Sequence, residues 1–184
     1  MRILIIGLIL FIGIHFVPAM PSLKASLSSK LGANGYKGLF SIVSFVGLGL
    51  IIYGMSIAEF KSVYSPPDWG RVVTLLLMVP ALILMPAANM PTNIKRFVRH
   101  PMMTGVLLWG VGHLFSNGDL ASLVLFGSMA GYSVFSMASA NSRGASTSTT
   151  VVPVKKDIMV ILIGLVVFVL IAWFHGSLFG APLF

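Results

Sequence analysis

The sequence predicts an all-α, polytopic membrane bundle of about six transmembrane helices with no soluble domain, and three observations lead there. The chain is 57% hydrophobic and 9% charged, with mean hydropathy +1.00, whereas soluble domains carry about a quarter charged residues. Apolar runs of a length suited to a ~30 Å hydrocarbon core recur from end to end. Six crossings also sort the basic residues. Lys24, Lys30, Lys37, Lys95, Arg96, Arg99, Arg143, Lys155 and Lys156, nine in all, fall on one side, and Arg2, Lys61 and Arg71 on the other. The positive-inside rule makes the nine-charge side cytoplasmic and sends both termini to the opposite side.

The first span, Ile3 to Val17, follows Arg2 and precedes a loop with Pro18 and Pro21. Val17-Pro18-Ala19 resembles a signal-peptide cleavage site, but a histidine inside the apolar run and the spans that follow favour a retained helix. The second span, Leu39 to Ala58, gathers Ser44, Gly47, Gly54 and Ala58 toward one side, where small residues let helix backbones approach. A polar loop with Ser65-Pro66-Pro67-Asp68-Trp69 ends it. In the third span, Val72 to Met90, Pro80 cannot donate to the Leu76 carbonyl, and a kink is expected.

Pro101 suits a first helical position, so a short fourth helix is predicted over Pro101 to Ser116, about 24 Å at 1.5 Å per residue. Asn117-Gly118-Asp119 turns the chain, and Asp119 is placed to cap a fifth helix running to about Ala138. That helix contains Gly127-x-x-x-Gly131, a close-packing pair. Helices four and five thus form an antiparallel hairpin. Residues 139–157 read as a flexible, Ser/Thr-rich loop. A last span over 158–176 is apolar all round, and His175 at its end reads as interfacial. The whole of 1–184 forms a single domain.

Several classes of chemistry are excluded. With no cysteine, thiolate nucleophiles, disulfides and thiolate metal sites are absent, leaving histidine as the nitrogen ligand for a transition metal or haem. Net charge is +8, but the cations stand in short groups between apolar runs, where they set topology and meet anionic lipid; there is no basic face of the kind nucleic acid requires. The acids Glu59, Asp68, Asp119 and Asp157 lie singly at loops or helix ends, so no carboxylate pair exists. Redox chemistry would need a cofactor.

Intramembrane ionisable residues are costly and mark function by default. Two histidines stand out. Gly7, Phe11 and His15 repeat at i, i+4 and i+8 on the first helix, and Gly105, Trp109 and His113 repeat likewise on the fourth. A small residue, an aromatic and a histidine on one face suit a flat apolar cofactor whose iron meets an imidazole. Depth arithmetic separates His15 from His113 by on the order of 6 Å across the bilayer. The alternative, a histidine bonded to a nearby carbonyl or serine, stays open on spacing alone. His100 lies thirteen residues from His113 and cannot share its centre from one helix. With Arg96 and Arg99 it forms a cytoplasmic cationic patch suited to a lipid phosphate, a propionate or a topology signal.

Leu8-x-x-Phe11-x-Gly13-x-His15, Gly35-Tyr36-Lys37-Gly38-Leu39-Phe40-Ser41, Pro66-Pro67-x-Trp69 and Ile94-Lys95-Arg96-x-x-Arg99-His100-Pro101-Met102-x-x-Gly105, continued through Trp109, His113 and Asn117-Gly118-Asp119, resemble the NnrU family of bacterial integral membrane proteins. The motifs span residues 3 to 138. The resemblance implies a bacterial inner-membrane location, in which the charge distribution makes both termini periplasmic, and a link to nitric oxide and denitrification metabolism. It also implies a relationship to the plant ζ-carotene isomerase, a haem b enzyme that carries out cis–trans isomerisation of a polyene. On that basis haem b is the expected cofactor, with His15 and His113 as iron ligands and Arg99, His100, Gly105 and Trp109 around the cofactor. The Arg-His-Pro segment also resembles membrane methyltransferases that use S-adenosylmethionine. Their acidic motif has no counterpart in Ser139-Ala140-Asn141-Ser142-Arg143-Gly144, which puts methyl transfer in doubt. A cofactor-free membrane accessory or scaffold is the third reading.

Overall fold

The computed structural model describes residues 1–180 and 183. Six helices carry the fold: α1 Arg2–Phe16, α2 Pro21–Ser56, α3 Gly70–Asn89, α4 Pro101–Leu114, α5 Leu120–Ser142 and α6 Val154–Phe179. Short 3₁₀ turns at Val17–Ala19 and Asn93–Arg96 complete it. Five of the helices, all but α4, are long and apolar enough to cross a membrane. Large apolar side chains such as Phe45 (74% exposed) and Leu76 (66% exposed) cover their outer faces. In water these surfaces would drive association; in lipid they are the solvent-facing side.

The ends of the bundle establish its topology. At one end the basic loops are tied to one another. Arg143 Nη1 donates to the Ala19 carbonyl at 3.2 Å, Ser148 N to the Lys95 carbonyl at 3.0 Å, and Asn93 Nδ2 to Asp157 Oδ2 at 2.7 Å. At the other end the lightly charged loops are knitted together. Val63 and Tyr64 donate their amides to the Gly118 carbonyl, and Leu120 N donates to the Lys61 carbonyl. The charge sorting therefore matches the folded ends. The 14-residue α4, about 21 Å long at 1.5 Å per residue, connects the two while packed between α3 and α5.

Helix signals in the sequence account for most boundaries. Pro101 is the first residue of α4, after His100. Asp119 Oδ1 accepts from Ser122 N at 3.0 Å and caps α5. Gly118 is required at the turn before it, because a Cβ there would collide with the Tyr64 carbonyl oxygen. Gly180, at φ 71°, ends α6 in the left-handed conformation glycine favours.

Three expectations need correction. The second helix begins at Pro21 rather than near Leu39, because Pro21 opens a helical segment that joins the span across a break at Gly32 (φ 72°, ψ 162°). The last helix extends over 154–179, so the irregular segment before it is shorter than 139–157. Gly127 and Gly131 do not make a close-packed seam within the chain, since a Cβ on either would meet nothing within 4 Å. The α4–α5 approach instead uses Gly110, whose Cβ would lie 2.8 Å from the Phe126 carbonyl oxygen.

The tightest seam joins α1 to α2 through Gly7, Gly47 and Gly54. Leu4 (0% exposed), Leu8 and Ile51 from that seam meet Ala121, Leu125 and Phe126 of α5 in the buried core. α6 rests on α3 at Gly164, where a Cβ would stand 2.6 Å from Ile83 Cα.

Candidate functional site

Each intramembrane histidine is held by its own helix. His15 Nδ1 lies 2.6 Å from the Phe11 carbonyl oxygen, and His113 Nδ1 lies 2.8 Å from that of Trp109. A carbonyl accepts only, so Nδ1 carries a proton in both rings, and in the neutral ring Nε2 keeps its lone pair. That is the tautomer in which a histidine ligates a metal while its other nitrogen is oriented by a second partner.

The surroundings of the two rings differ. His15 stands 4.3 Å from Phe11, 4.9 Å from Phe40 of α2 and 6.2 Å from Tyr132 of α5, ring centre to ring centre. Tyr132 Oη also donates to the His15 carbonyl at 3.1 Å. His113 lies over Phe126 at 4.5 Å and beside Trp109 at 5.3 Å. Phe126 and Tyr132 are six residues apart on α5, roughly 9 Å of rise and two-thirds of a turn. The structure thus sets the two histidines against different faces of α5 and does not bring their rings together. Phe11, Trp109 and Phe126 all belong to the core cluster or pack on it.

What the structure does bring to His113 is His175. Their ring centres are 6.5 Å apart with planes 23° from parallel, and Phe179 flanks His175 at 4.9 Å. His175, read in the sequence only as interfacial, thus has a ring partner within the bundle. A signal for it exists in the sequence: α4 and α6 run the same way across the bilayer, and both histidines lie toward their C-terminal ends.

The glycines of the two histidine stripes serve helix packing. A Cβ on Gly105 would lie 2.9 Å from the Ala81 carbonyl oxygen of α3, and one on Gly7 would lie 2.7 Å from Ile51 N of α2. The space expected for a cofactor at these positions is filled by neighbouring backbone. An i+4 step advances about 40° beyond a full turn, so a stripe eight residues long swings by about 80°. Gly105 therefore meets α3 while Trp109 and His113 meet α5.

At the basic end, Asn141 Oδ1 accepts from Arg99 Nη1 and from His100 Nε2, each at 2.9 Å. The Arg99–His100 pair is thereby drawn onto the last turn of α5, well separated in sequence and in place from His113. Arg143 in the same region also donates to Ser139 Oγ.

Two polar clusters went unread in the sequence. Asp157 accepts from Thr92 Oγ1 (2.6 Å), Asn93 N (2.7 Å) and Asn93 Nδ2 (2.7 Å), tying α6 to the turn before α4. At the opposite end Tyr64 Oη donates to the carbonyls of Leu114 and Asn117. Burial, helped by the Asp119 carboxylate, holds the Tyr64 hydroxyl above its ordinary pKa. Nearby, Thr74 Oγ1 lies within hydrogen-bond distance of the Gly70 and Gly112 carbonyls and of Ser116 Oγ. Among the described residues no group of three or more His, Cys, Asp or Glu is assembled for a metal ion.

No curated protein and no solved structure matches the chain. The NnrU protein family matches it over residues 3–183, a span that runs past the motifs ending near 138 and takes in α6 with His175. With nearly the whole chain covered, this protein belongs to the NnrU family.

Proposed function

We propose that this NnrU-family protein holds a haem b within the inner membrane, its basic loops cytoplasmic, with His113 and His175 as the residues that would hold it. The observation that carries the reading is the 6.5 Å separation of the His113 and His175 ring centres. With metal–nitrogen bonds of about 2 Å, rings at this spacing are close enough that the two imidazoles would hold one metal. The Nδ1 bond from His113 to the Trp109 carbonyl supports this by fixing the nitrogen that would face the metal.

The donor set fits a haem better through His113 and His175 than through His113 and His15, which pack on different faces of α5. When bound, a haem would supply an iron that changes oxidation state, the chemistry that redox-dependent isomerisation of a hydrophobic polyene requires, and nitric oxide would reach it only by displacing one of the two histidines. The Trp109 carbonyl orients the His113 imidazole, and Trp109, Phe126 and Phe179 wall the site with apolar surfaces that keep water away.

The test is the visible spectrum of the full chain purified after expression with haem supply. A Soret band is expected, lost in His113→Ala and in His175→Ala, and kept in His15→Ala. Loss in His15→Ala with retention in His175→Ala would assign the second ligand to His15 instead. Colourless wild-type protein would overturn the haem reading.

A further inference from the structure

The basic end of the bundle contains a recess made by two breaks in the chain. Pro18 and Pro21 reverse the chain after α1, and Gly32, at φ 72°, divides α2 into an initial segment and the span proper. Between them lies an open recess of about 390 Å³ lined by Pro18, Lys24, Tyr36, Lys37, Phe40 and Ser41. Lys24 comes from the initial segment of α2, and Tyr36 and Lys37 from the span, so the helix break sets two ammonium groups around one space.

Exposed lysines at a membrane surface are ordinary. Tyr36 is not. It is 8% exposed, and its Oη is buried with no hydrogen-bond partner. Buried hydroxyls in folded proteins almost always find a partner, because an unmade bond leaves the full desolvation cost standing. Ser44 Oγ, two turns further along α2, is buried without a partner as well. Among the described residues these two are the side-chain oxygens or nitrogens in that state, and both stand on the face of α2 that carries Phe40.

We infer that the recess binds a phosphate oxyanion, with Lys24 and Lys37 balancing its charge and the Tyr36 hydroxyl donating to one of its oxygens. The hydroxyl then gains the acceptor it otherwise lacks. A charge-assisted bond of this kind is stronger than a neutral one. Two sources offer the chemistry at this depth: the headgroup of an anionic phospholipid, which the cytoplasmic leaflet supplies, and a soluble phosphate ester. The site is separate from His113 and His175, so it stands whether or not haem is bound there.

The experiment is isothermal titration of the purified full chain in a non-ionic detergent with dioctanoyl phosphatidylglycerol, dioctanoyl phosphatidylcholine and inorganic phosphate. Saturable binding of phosphatidylglycerol but not phosphatidylcholine is expected. Tyr36→Phe is expected to weaken it about 10-fold or more, the worth of a hydrogen bond to a charged group. The double variant Lys24→Ala/Lys37→Ala weakens it further, and Lys61→Ala at the opposite end leaves it unchanged. Without ligand, Tyr36→Phe melts at the same temperature as wild type or higher, since it removes an unpaired buried hydroxyl; this separates a binding defect from misfolding. Inorganic phosphate binding as tightly as the lipid assigns the site to a soluble ester, and its failure to bind assigns it to the lipid. Non-saturable phosphatidylglycerol binding, equal binding of phosphatidylcholine, or undiminished binding by Tyr36→Phe would overturn the inference.

Discussion

Gly54→Ala tests how α1 and α2 are held together. A Cβ at Gly54 would stand 2.5 Å from Leu4 N, 2.6 Å from Leu4 Cα and 2.9 Å from Leu4 Cβ. Two of these are backbone atoms of a residue with no exposed surface, so no side-chain rotation relieves the clash. Restoring an ordinary carbon contact of about 3.5 Å requires the helices to part by about 1 Å, which forfeits a quarter to a half of the dispersion at each touching pair. Overpacking costs about 1–3 kcal/mol, and Ala regains about 1 kcal/mol of helix propensity over Gly. The expected net loss is up to about 2 kcal/mol against wild type, or about 1–3 kcal/mol against a glycine-to-alanine change that gains the same propensity without a clash; Gly7→Ala, whose Cβ would meet Ile51 N at 2.7 Å, should lose a similar amount. The assay is equilibrium unfolding in mixed micelles, with Gly49→Ala and Gly131→Ala as references because their Cβ atoms meet nothing within 4 Å. If Gly54→Ala is as stable as those two, the backbone seam is not what joins α1 to α2.

Other outcomes follow from the polar clusters. Thr74→Val keeps shape but removes the partner of the Ser116 hydroxyl and one of two donors to the Gly112 carbonyl, which keeps Phe115 N; a loss of about 1–3 kcal/mol is expected, read in the same unfolding assay, with Thr74→Ser retaining most of the stability. The Tyr64 hydroxyl has its pKa raised in the fold by burial and then by Asp119, so its contribution is complete below the ordinary tyrosine value near ~10. That contribution is lost as pH rises through the folded value. Stability followed from neutral into alkaline pH should fall less steeply in Tyr64→Phe than in wild type. Asp157→Ala removes the acceptor of Thr92 and Asn93, and limited proteolysis should then cut the 143–153 segment faster while cleavage of the 57–69 loop is unchanged. Equal cleavage rates at 143–153 would show that the tie does not hold that segment.

Much of the architecture was legible because its signals are local. Lipid demands apolar outer surfaces and internally satisfied backbone, so composition and run length specify a helical bundle. The alternation of basic and lightly charged loops specifies which ends meet, and Pro101 and Asp119 announce helix starts through their own backbone chemistry. Sequence also singled out His15 and His113, because an ionisable residue in an apolar run is conspicuous wherever the helix lies. Tertiary structure alone decided what those residues face. The Gly7 and Gly105 positions take neighbouring backbone because an i+4 stripe drifts around the helix. His113 meets His175 because α4 and α6 both flank α3, an adjacency that no periodicity encodes. Gly127 and Gly131 were misread for the same reason: spacing shows that a backbone is approachable, and only the packing shows whether anything approaches it. Tyr36 stood in the sequence only as part of the Gly35–Ser41 motif, since an unpaired hydroxyl is a property of its surroundings. The chain by itself determined a helical membrane protein with histidines in its interior; the fold decided their partners, because partnership depends on distances between helices that the sequence specifies only through their joint packing.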